Sequence, residues 1–478
     1  MKKYIGITIG PVFETMNLSS SPLALWASSY IFSLLSKTLC ECLVQDNVNE
    51  KNIITPYFKN DEPLLNKNDG IGLFHDRIIF NAENYDFSRL NDIKNNALRI
   101  IADKFGISEE YLKKYIMIAA AEFMAENPIM ESSKIFDSLE LATQFVDEEE
   151  INPVLALFSG DEYSKNNELK RTDIVAGFSE FQLKNNNNSF KSLENIVGTG
   201  NGYKKFKYYA IVRSDGDNMS KIISDLSNDE EIRSFSETCL KYCSCVAELV
   251  KEYNGVTIYS GGDDLLAILP CESKDSLTPL NFVSEANGVF KKFFDKYNKP
   301  ASLSFGITMA YYKFPLYEAL EDSAYLLFDI AKHTAKNCLA LRLQKHSGQA
   351  EGLVIPNNRL DEIINLFNTV KDNQKSTEDS NKVFLSAIHK ISLFEDAFNG
   401  TEGSDETYNI FKNVFDGSMH KYSVFLHEKL PEFFIELTKE TNIKVIDNNG
   451  IIEDNPARTM CYVLRIIKFF FEKGGEEN

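Results

Sequence analysis

The sequence predicts an α+β fold built around a ferredoxin-like unit, and three observations carry that expectation. Residues 206–345 read as β-α-β-β-α-β followed by one more strand, the order of a split βαβ arrangement. Beyond about residue 355 the β signal fades and apolar positions recur at helical spacing, as in a helical bundle. The composition is globular: 478 residues, 43% apolar and 25% charged, enough for two to four domains at ~100–200 residues each.

The elements follow in order. An apolar strand, Tyr4 to Ile9, ends at Gly10-Pro11, and Pro22 to Val44 has the periodicity of an amphipathic helix. A β-rich stretch, Arg77 to Phe80, precedes a helix over 87–105; 114–124 (KYIMIAAAEFM) fits strand or helix, and 130–145 reads as a helix. Residues 150–205 have linker chemistry, with four consecutive asparagines at 185–188 and glycines at 198, 200 and 202. In the central unit, strands are predicted over 206–214, 256–259, 265–269, 302–311 and 338–343. Helices are predicted over 218–226, 231–253, 280–297 and 316–334. Further helices are predicted over 360–370, 383–394, 422–434 and 462–471, with acidic loops between them.

Charge and cysteine content bound the function class. The net charge is −19, which argues against a surface that is basic throughout. The excess is uneven: 201–350 is nearly neutral, with 18 basic against 19 acidic residues, and the acid lies in the flanks. The start MKKYIGITIG lacks a secretory pattern, and the apolar stretch from Leu23 to Leu35 is interrupted by serines, short of the ~18 residues of a membrane span. The expectation is a cytoplasmic chain with no membrane association. The cysteines at 40, 42, 239, 243, 245, 271, 338 and 461 contain no CxxC pair and read as reduced, helix-face thiols.

Two acidic motifs carry the chemistry. Ser214-Asp215-Gly216-Asp217-Asn218-Met219 lies where the first central strand gives way to a helix, and Ser260-Gly261-Gly262-Asp263-Asp264 lies at a hairpin tip. In a ferredoxin-like sheet the first and third strands are antiparallel neighbours, so Asp215 is brought beside Asp263 and Asp264. Clustered carboxylates repel unless a cation neutralises them, and hard oxygen ligands suit Mg²⁺ or Mn²⁺ with nucleotide phosphates. Gly261 and Gly262 permit the turn, and Gly216 precedes a helix N-terminus suited to a triphosphate. Asp217, Asn218 and Ser260 flank these positions. Lys332 and Lys336, at the end of the last helix, are placed to meet phosphates. Met219 is expected to peg the helix to the sheet. Isolated Gly-Gly-Asp turns are common; it is the strand and helix context that makes this pair a candidate metal-dependent nucleotidyl-transfer site.

The strings YYAIVRSDGDNMSKII, VTIYSGGDDLLAILP and SLSFGITMAYYKFPLYEALEDSAYLLFDIAKHTAKNCLAL resemble the catalytic palm of the type III CRISPR large subunit, the CRISPR polymerase. That palm is related to nucleotide cyclases and GGDEF diguanylate cyclases. ITIGPVFE followed by LWASSYIFSLL is similar to the opening of its Cmr-type (III-B) version. The resemblance implies two ferredoxin-like palms with a helical insertion and a C-terminal helical bundle. The implied divisions are a catalytically silent palm over 1–110, an insertion and linker over 111–205, the catalytic palm over 206–348 and a helical domain over 349–478. It implies Asp215, Asp263 and Asp264 as catalytic metal ligands, ATP as substrate and a cyclic oligoadenylate as product. It also implies other type III subunits, guide RNA and target RNA as partners, so the flanking acidity fits a subunit that leaves most RNA gripping to basic neighbours. The chain begins directly at the Gly-Pro-Val palm, so no HD nuclease activity is expected. Its one His-Asp pair, His75-Asp76, occupies a pre-strand turn, without further histidines at ligand spacing. The family's paired zinc cysteines are missing from 150–205, so no zinc is expected, and Tyr311-Tyr312 replaces the usual His-His. The same motifs serve a mixed-nucleotide product or AMP joined to S-adenosylmethionine, and a non-catalytic scaffold is the remaining alternative. A free-standing diguanylate cyclase leaves the N-terminal palm without a place.

Overall fold

The computed structural model describes residues 1–142, 192–197, 207–271, 277–372 and 377–471, apart from short breaks at 18, 20, 61, 63–69, 106–107, 335, 346, 416–421, 423, 440–442, 448–449 and 453–454. The asparagine run at 185–188 and the glycines at 198–202 lie outside the described residues.

Two sheets organise the chain. The first contains β1 (Lys2–Gly10), β2 (Ile53–Thr55), β3 (Arg77–Asn81) and β4 (Met117–Ala125), in the order β2-β3-β1-β4. All its pairings are antiparallel. The second contains β5 (Tyr208–Asp217), β6 (Val256–Gly261), β7 (Asp264–Pro270), β8 (Ser302–Tyr311), β9 (Cys338–Gln344), β10 (Ala350–Pro356), β11 (Lys444–Asp447) and β12 (Gly450–Ile452). Its order is β12-β11-β10-β9-β8-β5-β7-β6, with β8 and β9 parallel. Numbered within each unit, β2-β3-β1-β4 and β6-β7-β5-β8 are the same order, so the first sheet repeats the ferredoxin-like topology of the second.

The repeat extends to the helices. Each unit sends a 24-residue helix from its first strand toward its second: Pro22–Gln45 in one, Asp229–Glu252 in the other. Pro22–Gln45 packs on its own β1 and β3 and also on β6, the edge of the other sheet; Asp229–Glu252 packs on its own β6 and β7 and also on β2. The exchange is reciprocal and fuses the two units through one apolar core, in which Phe32, Leu35 and Leu39 join Tyr242, Val246 and Val250. The opposite face of the first sheet is covered by the helix Pro128–Ala142, whose Phe136 packs with Tyr4 and Phe123.

The structure corrects several expectations. The ambiguous 114–124 segment resolves into the end of a short helix, Glu109–Tyr115, and then β4, which pairs with β1 along its whole length. The first unit therefore extends beyond the expected boundary at 110. β10, β11 and β12 continue the second sheet past residue 349, so the C-terminal part is not purely helical. Its helices Leu360–Asp372, Thr377–Leu393, Leu430–Lys439 and Pro456–Phe471 sit close to their expected places. The helix expected over 218–226 is only Met219–Ile223, because Asn228 caps the next helix by accepting from the Glu231 N–H at 2.9 Å. The helix expected over 316–334 takes a wider π turn at Leu326–Ala331 before ending at Lys332–Thr334. Pro22–Gln45 is long and apolar enough to cross a membrane by length and composition alone. Its apolar residues are accounted for by burial between the two sheets.

Candidate active site

β5 and β7 are antiparallel neighbours, with Ser214 opposite Leu265. The C-terminal end of β5 thus lies against the hairpin joining β6 to β7, in which Gly261 pairs with Asp264 around a Gly262-Asp263 tip. Gly262 has φ +69°, the left-handed region where a side chain is strained. Gly216 is needed for a different reason: a Cβ there would lie 2.5 Å from Asp263 Oδ2 and 2.7 Å from Met219 Cγ. The bare backbone lets the β5 terminus close on the hairpin, with Met219 buried beside it as the predicted peg.

Asp215, Asp263 and Asp264 are brought together, each half-buried, with one carboxylate oxygen apiece within 4.8 Å of the others. Among the described residues they are the only group so arranged for a metal ion. Burial, and then the neighbouring Asp215 charge, push the Asp263 carboxyl up to about 7. Burial, then Asp263 and Asp215, raise Asp264 well above the usual carboxylate range, and it hydrogen-bonds with Asp215. Such a set of hard oxygen donors, short of positive charge, fits a divalent cation of the Mg²⁺ type.

The flanking residues divide differently from expectation. Asp217 does not open onto the cluster. Its side chain is fully buried, accepting from Ser302 Oγ at 2.8 Å, Ser304 Oγ at 2.9 Å, the Asn337 backbone N–H at 2.8 Å and Lys332 Nζ at 2.9 Å. Lys332 also donates to the carbonyls of Asp215 and Gly216 at 3.0 and 2.8 Å and lies 2.5 Å from the Asp215 carboxylate. Burial opposes the Lys332 charge, but Asp215 and Asp217 outweigh it and hold the ammonium above the ordinary lysine range. Its donors are spent inside the protein, so it braces the β5 terminus rather than reaching out to a phosphate. Lys336 is exposed in a left-handed turn, φ +53°. Asn218, also left-handed, donates to the Pro300 carbonyl at 3.2 Å. It opens a helix of only five residues, too short to supply the expected anion site. Ser260 is buried, its Oγ directed at the Cys243 carbonyl.

Three contributors were not visible as motifs. Cys243, on the helix Asp229–Glu252, directs its thiol to the Gly262 carbonyl at 3.3 Å. Ser302 and Ser304 alternate on β8 opposite the end of β5, a spacing that a strand register would have flagged. The first unit supplies the third: a cleft of about 1140 Å³ has Gly262, Asp263 and Asp264 on one side and Gly10, Pro11, Phe13, His75 and Asp76 on the other. Gly10-Pro11 closes β1 where the DGD stretch closes β5, and among the described residues no second acidic triad stands there.

Comparison with known proteins agrees with this geometry. Residues 208–340 match the family described as Cas10/Cmr2, second palm domain, and residues 4–119 match CRISPR-associated protein Cmr2, N-terminal. A stretch of 171 residues is 36% identical to the CRISPR system Cmr subunit Cmr2 of Pyrococcus furiosus; it covers 30% of this chain and 19% of that protein. The fold is similar to a chain of the type III-B Cmr-beta particle in its apo state (TM-score 0.63, 12% identity, 98% of this chain and 82% of that one). It is similarly close to a chain of the same particle bound to cognate target RNA (TM-score 0.61, 12% identity, 98% and 83%). A Csm1-Csm4 cassette in complex with cA4 also matches (TM-score 0.56, 12% identity, 98% and 70%). Because both ferredoxin-like units, the N-terminal one and the one bearing the acidic cluster, match models of the same family, the chain belongs to the Cas10/Cmr2 family.

Proposed function

We propose that this chain is a metal-dependent nucleotidyltransferase that converts ATP to a cyclic oligoadenylate, acting within a cytoplasmic type III CRISPR ribonucleoprotein whose guide RNA pairs with target RNA. The observation that carries this reading is the convergence of Asp215, Asp263 and Asp264 within 4.8 Å, two of which, Asp263 and Asp264, line the cleft of about 1140 Å³. Relatives of the same fold solved with cA4 and with target RNA support the product class and the setting.

Asp215, Asp263 and Asp264 would hold one or two Mg²⁺ or Mn²⁺ ions, which when bound supply charge neutralisation and a lowered pKa for an acceptor 3′-hydroxyl. The chain's own residues do the rest. Gly262 leaves open space against the backbone for a nucleotide, and Gly216 lets Asp263 close on the β5 terminus. Lys332 and Asp217 fix the two carbonyls that orient Asp215. The Gly10–Phe13 turn closes the far side of the cleft, limiting the water around an attacked α-phosphate. Asp215, Asp263 and Asp264 are the proposed catalytic residues; the four-part division is kept as part of the proposal, with the first unit extended through β4 and the second sheet continued through β12.

The test is product analysis of the assembled complex with target RNA, ATP and Mg²⁺, by mass spectrometry. A ladder of adenylates closing to a ring is expected, and the Asp263→Ala, Asp264→Ala double variant should yield none while still assembling. Product formation undiminished in that variant removes the acidic cluster from the chemistry. A product mass containing another nucleoside or an adenosyl sulfonium keeps the chemistry and replaces the messenger.

A further inference from the structure

We propose that His75, in the catalytically inert first unit, is a positioning residue for the catalytic hairpin, and that the segment Gly70–Asp76 is the strap through which the first unit sets the geometry of Asp263 and Asp264. The inference rests on the nucleotidyl-transfer reading for its activity arm and on geometry alone for its metal-binding arm.

His75-Asp76 immediately precedes β3, as Gly262-Asp263 immediately precedes β7, so the His-Asp pair is the topological counterpart of the hairpin tip it faces. The approach is close. The Gly72 carbonyl accepts from the Ser260 backbone N–H at 2.9 Å, a main-chain bond between the two units at the residue just before Gly261-Gly262-Asp263-Asp264. A Cβ on Gly261 would stand 3.7 Å from His75 N and 3.8 Å from His75 Cβ, so His75 faces the hairpin across a gap that a single methyl group would fill.

The strap is itself held rigidly. Trp26 Nε1 donates to the Gly70 carbonyl at 2.8 Å, Phe74 N donates to Ser33 Oγ at 2.8 Å, and Ser36 Oγ donates to the His75 carbonyl at 2.8 Å. Three anchors from one buried helix, Pro22–Gln45, thus fix the strap's main chain. The His75 ring adds an anchor of another kind. Its Nε2 lies 2.9 Å from Thr55 Oγ1 on β2, and Thr55 Oγ1 accepts from Ser236 Oγ at 3.4 Å. Ser236 and Cys243 are seven residues apart on one helix and so share a face, and Cys243 is the residue that reaches the Gly262 carbonyl. The hairpin is therefore gripped on one side by the strap and on the other by the helix, and the His75 ring ties the two grips together through Thr55. Burial, and then the nearby Arg77 charge, lower the His75 pKa to about 4, so the ring is a neutral hydrogen-bonding spacer at working pH.

The experiment uses the full chain, with Mn²⁺ alone as the probe of the carboxylate cluster and ATP turnover in the assembled complex as the second readout. For His75→Ala, Mn²⁺ affinity should fall roughly tenfold, as when an outer support of a metal ligand is removed. Turnover at saturating ATP should fall about 10–100-fold with KM nearly unchanged, the signature of misplaced catalytic groups rather than lost substrate binding. His75→Gln, which keeps a polar atom in reach of Thr55, should recover most of both; Thr55→Val should reproduce the loss in milder form. Mn²⁺ affinity and turnover within about twofold of the parent in folded His75→Ala protein overturn the proposal. Should His75→Ala fail to fold, the Thr55→Val measurements decide in the same way. Failure of the function itself is distinguishable: an inactive parent, or an active Asp263→Ala, Asp264→Ala variant, strikes the nucleotidyl-transfer reading while Mn²⁺ binding still judges His75.

Discussion

Lys332 and Asp217 form a buried pair, 2.9 Å apart, in which the carboxylate is fully shielded from solvent and the ammonium nearly so. Around them Ser302, Ser304 and Asn337 satisfy the remaining carboxylate lone pairs. The pair is the hinge pin of the β5 terminus, because the same ammonium grips the carbonyls of Asp215 and Gly216.

Breaking one partner of such a pair strands the other. Lys332→Met should destabilise the protein by about 3–5 kcal/mol, because Asp217 is left charged and unpaired. Double replacement, Lys332→Met with Asp217→Leu, should be milder than the single change. Denaturant unfolding of the three proteins checks this; equal stability of the parent and Lys332→Met contradicts the role assigned to the pair.

Stability should depend on pH in a direction set by the acidic cluster. The folded-state pKa values of Asp263 and Asp264 lie above the ordinary 3.8, Asp263 at about 7. Folding therefore favours their protonated forms. The Asp263 contribution is fully present below the unfolded pKa and is lost as pH rises through about 7, and that of Asp264 is lost in the same direction. Metal-free protein should melt lower at about pH 8 than at about pH 5.5 on this account, and added Mg²⁺ should raise the melting temperature more at the higher pH. Equal Mg²⁺ increments at both pH values would contradict it.

Removing the clustered charges has a second consequence. Asp263→Ala with Asp264→Ala should abolish turnover yet leave the metal-free protein at least as stable as the parent near neutral pH, since half-buried like charges are relieved. Calorimetry without metal checks this, and a marked fall in stability shows that the carboxylates serve the fold.

Gly216→Ala offers a sharper probe than any charge change. The added methyl would meet Asp263 Oδ2 at 2.5 Å and Met219 Cγ at 2.7 Å, so the hairpin must shift by more than half an ångström. Turnover should fall by about 100-fold, the scale associated with small misplacements of catalytic groups, while melting temperature changes little. Retention of full activity would mean that Asp263 does not need its observed position.

The acidic cluster was legible because both motifs end strands whose adjacency follows from the βαββαβ order. Asp215, Asp263 and Asp264 needed no contact information beyond topology. Asp217 was not separable from Asp215 by pattern: both are acids in a DGD string, and only the register against Ser302 and Ser304 shows which is a buried brace. Lys332 was rightly placed near the site but wrongly aimed, since its acceptors are backbone carbonyls that no sequence pattern marks. β4 hid because MIAAAEFMA is alanine-rich, and helix propensity competes with its pairing to β1. β10 is similarly disguised by Gly352 and Pro356, residues that usually break strands. His75 was read as an ordinary turn because its relation to Gly261 crosses between units that no local pattern connects.

The reciprocal packing of Pro22–Gln45 and Asp229–Glu252 across two sheets of the same strand order makes this chain its own dimer. A two-subunit enzyme with facing halves assembles at a rate and extent set by concentration. Here the half without the acidic cluster is delivered by the peptide chain at an effective concentration fixed by covalent linkage. Each molecule therefore carries one complete cleft however dilute it becomes. Turnover per chain should not depend on self-association, and mixing active with Asp263→Ala, Asp264→Ala protein should give activity strictly proportional to the active fraction.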